Sequence, residues 1–243
     1  GREAGPGHFT SGCSTRPGLR KNGGKTLNLS RDKLLLYAVT DRSWLGEDSL
    51  ETVVEEALKG GATIVQLREK EISHQRMVEL ARRLKPVCAS YGVPLIINDD
   101  VQAALEADAD GVHVGQEDLG VVEARKLLGP DKIIGASAHN VAEALEAVRQ
   151  GADYLGSGAV FGSATKTNVS CLPMEELKRI CAAVSVPVVA IGGISEKNAG
   201  SLAGTGIAGI AVISAIFAAA DKREAAARLR ATAERLAERR EET

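Results

Sequence analysis

Aromatic residues make up only 3% of the 243-residue chain, too few to build stacking platforms for single-stranded nucleic acid. Charge of one sign is also lacking: the formal net charge is −2, which gives no general pull toward nucleic acid or an anionic membrane. No apolar run reaches the roughly 18 residues of a membrane span. The four cysteines, Cys13, Cys88, Cys171 and Cys181, are widely spaced and form no CxxC pair. They read as buried or incidental thiols in a reducing compartment. No HxH or HExxH pattern suggests zinc. No Ser-His-Asp set or G-x-S-x-G elbow suggests hydrolysis. The expectation is a soluble, cytoplasmic protein.

Residues 1–30 differ in composition from the remainder of the chain. They hold seven glycines, two prolines and five basic residues, with Glu3 the only acid. Such a segment buries too little apolar surface to offset its ordering entropy, and it has no apolar core for a signal peptide. It reads as a flexible arm or linker, with an upstream fused domain as one source. Residues 31–243 then form one catalytic domain. Homo-oligomerisation stays open.

From Leu34 onward short apolar runs alternate with segments of helical period. Leu34–Val39, Ile64–Lys70, Val93–Ile97, Gly111–Val114, Lys132–Ala136, Asp153–Gly156, Pro187–Ile191 and Gly209–Ile213 read as eight strands. Asp48 with Glu51, and Asn140 with Glu143, have capping-box spacing. Pro86 lies inside the second helical stripe and should kink or shorten it. Pro173 is expected to open a helix at its first position. Similar turns, such as Gly61-Ala62-Thr63 and Gly151-Ala152-Asp153, precede every second strand and suggest a weak internal repeat. Eight parallel strands buried on both faces close most naturally into a single (β/α)8 TIM barrel. A doubly wound open sheet is the competitor, but no GxGxxG follows the first strand.

In such a barrel chemistry sits at the carboxyl ends of the strands. The second strand is expected to present Gln66, Arg68 and Lys70 on one face, because alternate side chains share a side. Two cations two residues apart repel each other unless an anion lies between them, so the row suggests a phosphate or diphosphate site. The bland alternative is a solvated strand end with Glu69 as partial neutraliser. Asp99 and Asp118 end neighbouring strands and supply hard oxygen ligands suited to Mg²⁺. Each also has an ordinary reading as a helix cap. Gly192-Gly193 and Ile213-Ser214-Ala215 fit a second phosphate site at a short helix that starts near Ser214. The alternative there is a tight strand-to-helix turn. His113 alternates with Gly111 and Gly115 and reads as a hydrogen-bonded barrel-interior histidine. His139, at a rim, is more open to a role.

Eight ordered segments carry a resemblance that covers Leu34 to the end. They are Tyr37-Ala38-Val39-Thr40-Asp41, Val65-Gln66-Leu67-Arg68-Glu69-Lys70, Ile97-Asn98-Asp99, and Gly111 through Asp118 (GVHVGQED). Ser137-Ala138-His139, Ala164-Thr165-Lys166, Ala190 through Ile194 (AIGGI) and Ile213-Ser214-Ala215-Ile216 complete the set. Together they resemble the thiamine-phosphate synthase (thiamine-phosphate pyrophosphorylase) family. The resemblance implies a Mg²⁺-dependent transferase. It joins 4-amino-2-methyl-5-hydroxymethylpyrimidine diphosphate to thiazole phosphate, giving thiamine phosphate and diphosphate through a dissociative, carbocation route. It further implies that Arg68, Lys70 and Lys166 hold the diphosphate with Mg²⁺ on Asp99 and Asp118. Ser137 contacts the diphosphate and the reacting centre, and Gln66 and Asn98 orient the pyrimidine and diphosphate. Ser163, Thr165, Gly193, Ile213 and Ser214 line the thiazole phosphate site. The long loop from Gly158 to Leu172 is a candidate lid.

Two departures stand out. Gly162-Ser163 replaces a Thr that often follows Pro in the family, which puts the stiffness of that loop in doubt. Pro86 is atypical but far from the rim. Two other readings stay open: a thiazole tautomerase-like isomerase, and a non-catalytic barrel that binds thiazole phosphate. The expected partners are small-molecule substrates, not nucleic acid or membrane.

Overall fold

Eight short segments rich in Val, Ile, Leu and Ala form strands because their side chains are buried on both faces. They are β1 (Leu36–Val39), β2 (Ile64–Leu67), β3 (Leu95–Asn98), β4 (Gly111–Val114), β5 (Ile133–Ser137), β6 (Tyr154–Ser157), β7 (Val188–Ile191) and β8 (Gly209–Val212). Each pairs in parallel with its sequence neighbours, and β1 pairs with β8, so the sheet is a closed barrel. The structure is a computed structural model that describes residues 29–116, 120–162 and 170–238. The open-sheet competitor is thereby excluded.

The helices are α1 (Leu50–Gly60), α2 (His74–Ser90), α3 (Val101–Glu106), α4 (Val121–Leu128), α5 (Val141–Gln150), α6 (Met174–Ala183), α7 (Ser214–Phe217) and α8 (Lys222–Glu238). Their apolar stripes pack on the outward faces of the strands. Leu67, Leu84, Leu95 and Ile97 in that layer are fully buried, each contributing roughly 1.5–3 kcal/mol. A second cluster fills the barrel interior with Leu34, Tyr37, Val39, Ile64, Ile96, Ile133, Tyr154, Val189, Ala208 and Ala211. None of the helices described is long and apolar enough to cross a membrane.

Several local expectations change. The cap of α1 is Ser49, whose hydroxyl accepts from the Thr52 N–H, so the Asp48–Glu51 box does not form. At α5 the Asn140 side chain accepts from the Glu143 N–H as expected, but the Glu143 carboxylate returns to the His139 N–H. Pro173 is the cap residue of α6 and lies one position outside it. Pro86 does not shorten α2, which runs 17 residues through it. Pro86 and Arg82 both lie on the exposed face, where water can serve the carbonyl that proline leaves without a donor. Between β7 and β8 only a 3₁₀ turn forms, Ala199–Leu202, in a segment crowded with Gly200, Gly204 and Gly206.

At the amino end, Leu29 packs against the interior cluster and the Ser30 carbonyl accepts from the Lys33 N–H. The composition of residues 1–28 predicts that their deletion leaves Tm and kcat unchanged. A thermal-unfolding comparison checks this, and a fall of several degrees would show that the segment packs on the barrel. The buried Cys88 thiol is pushed up to about 12 by burial and is therefore unreactive near neutrality. Cys171 is exposed and Cys181 half-buried.

Candidate active site

The carboxyl ends of β2 to β5 carry the polar residues singled out from the sequence. Ile96 faces the interior, so Asn98, two residues on, faces it too. The same alternation from Ile64 puts Gln66 inside, and from Ile133 it puts Ser137 inside. Register carries these positions round the barrel: Gln66 pairs with Ile96, Asn98 with His113, and Ser137 with Gly156.

The cationic row is not one continuous strand. β2 stops at Leu67. A side chain continues the ladder instead. The buried Thr40 hydroxyl accepts from the Arg68 N–H at 3.0 Å, just after the Thr40 N–H has bonded the Gln66 carbonyl at 2.9 Å. Arg68 is thereby held half-buried at the mouth, while Lys70 lies beyond the strand and is exposed. Glu69 is turned the other way. Its side chain is only 6% exposed and meets the Arg42 guanidinium at 3.6 Å. Burial holds its carboxyl above the usual range. Glu69 thus serves chiefly a packed pair with Arg42, while the Arg68 charge also acts on its carboxyl, so the partial neutraliser suggested by the sequence survives for Arg68. Thr40→Val removes the acceptor of the Arg68 N–H. It is expected to cost about 1–3 kcal/mol and to raise KM for the anionic substrate. Thermal unfolding and steady-state kinetics check both.

Asp99 follows β3 in a left-handed conformation, φ +63°, which costs a non-glycine residue roughly 1–3 kcal/mol. Its N–H donates to the His113 carbonyl at 2.9 Å, and its carboxylate accepts from the Asn98 amide at 2.8 Å. The cap of α3 is the next residue: Asp100 accepts from the Ala103 N–H at 2.8 Å and also pairs with His74. Of the two readings of Asp99, capping is therefore ruled out. Its carboxylate lies exposed at the mouth, a hard donor of the kind Mg²⁺ takes. Asp118 lies outside the described residues.

On the opposite rim Gly192 and Gly193 both have positive φ. A Cβ on Gly193 would meet the Gly162 carbonyl at 2.2 Å, so only glycine fits between the loops after β6 and β7. The Asn198 side chain fixes this turn, donating to the Gly193 carbonyl and accepting from the Ser195 N–H. Ile213 precedes α7 and packs on the interior cluster, and Ser214 opens that helix. Both ends of the loop after β6 are tied down: the Val160 and Phe161 N–H groups donate to Ile191 and Gly192, and the Leu172 N–H to Ala159. Ser163, Thr165 and Lys166 lie between these ends, outside the described residues.

The structure thus gathers Gln66, Arg68, Asn98, Asp99 and Ser137 at one part of the rim, and Gly193, Ile213 and Ser214 at another. His113 is the interior histidine expected, with Nδ1 at 2.9 Å from the Tyr154 hydroxyl and Nε2 at 3.0 Å from Ser137 Oγ. His139 is half exposed and pairs with Glu143 at 2.9 Å. The sequence reading missed Tyr37 and Tyr154, whose hydroxyls meet 2.6 Å apart inside the barrel. The Gln66 amide donates to Tyr37 at 2.9 Å. Space for these rings comes from glycines on the same inward face. A Cβ on Gly135 would lie 2.1 Å from the Tyr154 ring, and one on Gly156 would lie 3.1 Å from the His113 ring. Glycine at inward positions of β4, β5 and β6 was the available signal.

Known proteins share this outline. The family model described as thiamine monophosphate synthase matches residues 36–216. A thiamine-phosphate synthase of Clostridium acetobutylicum is 53% identical over 184 residues, covering 76% of this chain and 87% of its own. That of Chloroflexus aurantiacus is 50% identical over 197 residues, 81% of this chain and 91% of its own. A thiamine phosphate pyrophosphorylase structure from Pyrococcus furiosus superimposes with a TM-score of 0.78 at 42% identity, covering 85% of this chain and 98% of that one. A 3-hexulose-6-phosphate synthase structure, at 17% identity and a TM-score of 0.59, shares the barrel alone. By the extent of the family match and the identity of these relatives, the chain belongs to the thiamine monophosphate synthase family.

Proposed function

We propose how this chain carries out thiamine-phosphate synthesis. The pyrimidine diphosphate sits at the mouth with its ring against Gln66 and Asn98 and its diphosphate against Arg68, Lys70 and Lys166. Ser137 lies beside the C–O bond that breaks. The thiazole phosphate occupies the opposite rim, lined by Ser163, Thr165, Gly193, Ile213 and Ser214. The bond to diphosphate breaks first, leaving a methylene carbocation that the pyrimidine stabilises. The thiazole nitrogen then captures it, and the electron pair of the broken bond leaves with the diphosphate.

Each group has a physical reason. Diphosphate is a poor leaving group unless its growing charge is neutralised, so fixed cations act where charge develops. Mg²⁺ held by Asp99 and Asp118 would add neutralisation that no side chain supplies. Water must be kept from the carbocation, and the loop after β6, whose described ends are tied down, would help to exclude it. The sequence offers no dedicated general base, and a dissociative route needs none.

The observation that carries this reading is Asp99. It is held at positive φ at the mouth, while its neighbour Asp100 does the capping. Strain kept at a rim carboxylate with no structural duty as a cap marks a functional group. Product analysis with both substrates and Mg²⁺ tests the proposal. It predicts thiamine phosphate and diphosphate in equal amounts. Isomerised thiazole without metal would favour a tautomerase, and binding without turnover would favour a sensor.

A further inference from the structure

Five side chains inside the barrel form one unbroken hydrogen-bonded line: Gln66, Tyr37, Tyr154, His113 and Ser137. The links measure 2.9, 2.6, 2.9 and 3.0 Å in that order. The line crosses the barrel from β2 to β5. Its inner members are sealed: Tyr37 is 2% exposed and Tyr154 is 0% exposed. Burial pushes both phenols well above their usual range, so both stay neutral. The three rings stack at a tilt, with centroids 5.8 Å apart for the tyrosines and 5.5 Å for Tyr154 and His113.

Counting protons gives the line a direction. The Gln66 Nε2 group can only donate, so Tyr37 accepts from it. If Tyr37 then donates to Tyr154, Tyr154 donates to His113 Nδ1. His113 must carry its single proton on Nε2 and donate it to Ser137 Oγ. The Ser137 proton is left pointing to the mouth, and all four links are satisfied. If Tyr154 donates to Tyr37 instead, the Tyr37 proton has no acceptor among the described residues. An unmet buried donor costs about 1–3 kcal/mol. With Gln66 Nε2 inward, donors on both His113 nitrogens would turn Tyr154 to Tyr37 and leave the Tyr37 proton unmet in the same way.

We propose that Tyr37, Tyr154 and His113 are positioning residues that couple the Gln66 amide to the polarity of the Ser137 hydroxyl. With Gln66 Nε2 turned inward, its carbonyl oxygen faces the mouth and Ser137 is a hydrogen-bond donor there. Turning the amide over reverses every link, and Ser137 then donates inward to His113 and offers only lone pairs. A ligand whose exocyclic amino group donates to the Gln66 carbonyl therefore locks Ser137 as a donor to an electron-rich oxygen, such as that of a departing diphosphate. The inference rests on the proposed function for the identity of that ligand, while the continuity of the line stands on the geometry alone.

Nitrogen-15 NMR of the histidines, with His113→Asn to assign the signal, reads the direction in the free protein. The expected signal is a neutral His113 with the proton on Nε2. Tyr154→Phe keeps the ring and removes the link. It should abolish that tautomer preference and lower kcat roughly 10-fold, the lower end of the effect of one oriented donor, with KM for thiazole phosphate unchanged. A wild-type proton on Nδ1 reverses the line and overturns Ser137 as the donor at the mouth, and a Tyr154→Phe variant with unchanged tautomer and kcat overturns the coupling; either result leaves the proposed function standing. A wild-type protein with the expected tautomer but no thiamine phosphate formation overturns the proposed function and leaves the line's direction standing.

Discussion

Lys70→Ala and Asp99→Gly are each expected to lower kcat by roughly 10²-fold, the scale of losing one preorganised charge contact at a transition state. Their effects on stability should differ, and the difference is the informative part. Lys70 is exposed beyond the end of β2, so its removal should leave Tm within about 1 °C. Asp99 sits at φ +63°. Glycine adopts that conformation without strain, so Asp99→Gly should leave Tm unchanged or higher. The gain is limited by the loss of the Asn98 hydrogen bond and by the greater freedom of glycine in the unfolded chain. Steady-state kinetics and thermal unfolding on the same preparations decide the matter. Full activity in Asp99→Gly would mean that the strain serves something other than catalysis.

Gly135→Ala should be among the most damaging small substitutions in the chain. The added methyl would lie 2.1 Å from the Tyr154 ring carbon and 2.4 Å from its hydroxyl oxygen. Tyr154 is fully enclosed by the interior cluster, so the ring has nowhere to retreat. Overpacking of this kind costs about 3 kcal/mol, which lowers Tm by roughly 6–12 °C for a chain of this size. Activity should fall as well, because a displaced Tyr154 breaks the line between Gln66 and Ser137. Gly200→Ala is the control: no atom lies near its Cβ, and its backbone is not left-handed. Equal Tm values for the two variants would contradict the packing described.

Much of the fold was legible because parallel barrel strands are apolar on both faces and each ends in polar or glycine residues. The eight runs from Leu34 to Ile213 carried that signature without ambiguity of period. Helix edges were less legible. At α1 both Asp48 and Ser49 could cap, and only the three-dimensional phase of the helix selects Ser49. The site was legible as residue types and poorly legible as orientation. Alternation placed Gln66 and Arg68 together, but it carried Lys70 along a strand that ends at Leu67. Asp99 could read as cap or ligand until the backbone gave the cap to Asp100. The interior line was hidden because its members come from β1, β2, β4, β5 and β6, and no local pattern links residues so far apart in sequence.

The central claim is that fixed cations and a metal together strip diphosphate from the pyrimidine. Turnover of the two substrates, followed as Mg²⁺ is chelated and then restored, tests it most directly. The account predicts that thiamine phosphate formation nearly stops on chelation and returns in full with added Mg²⁺, with diphosphate released in step. Undiminished turnover in the presence of the chelator would contradict it.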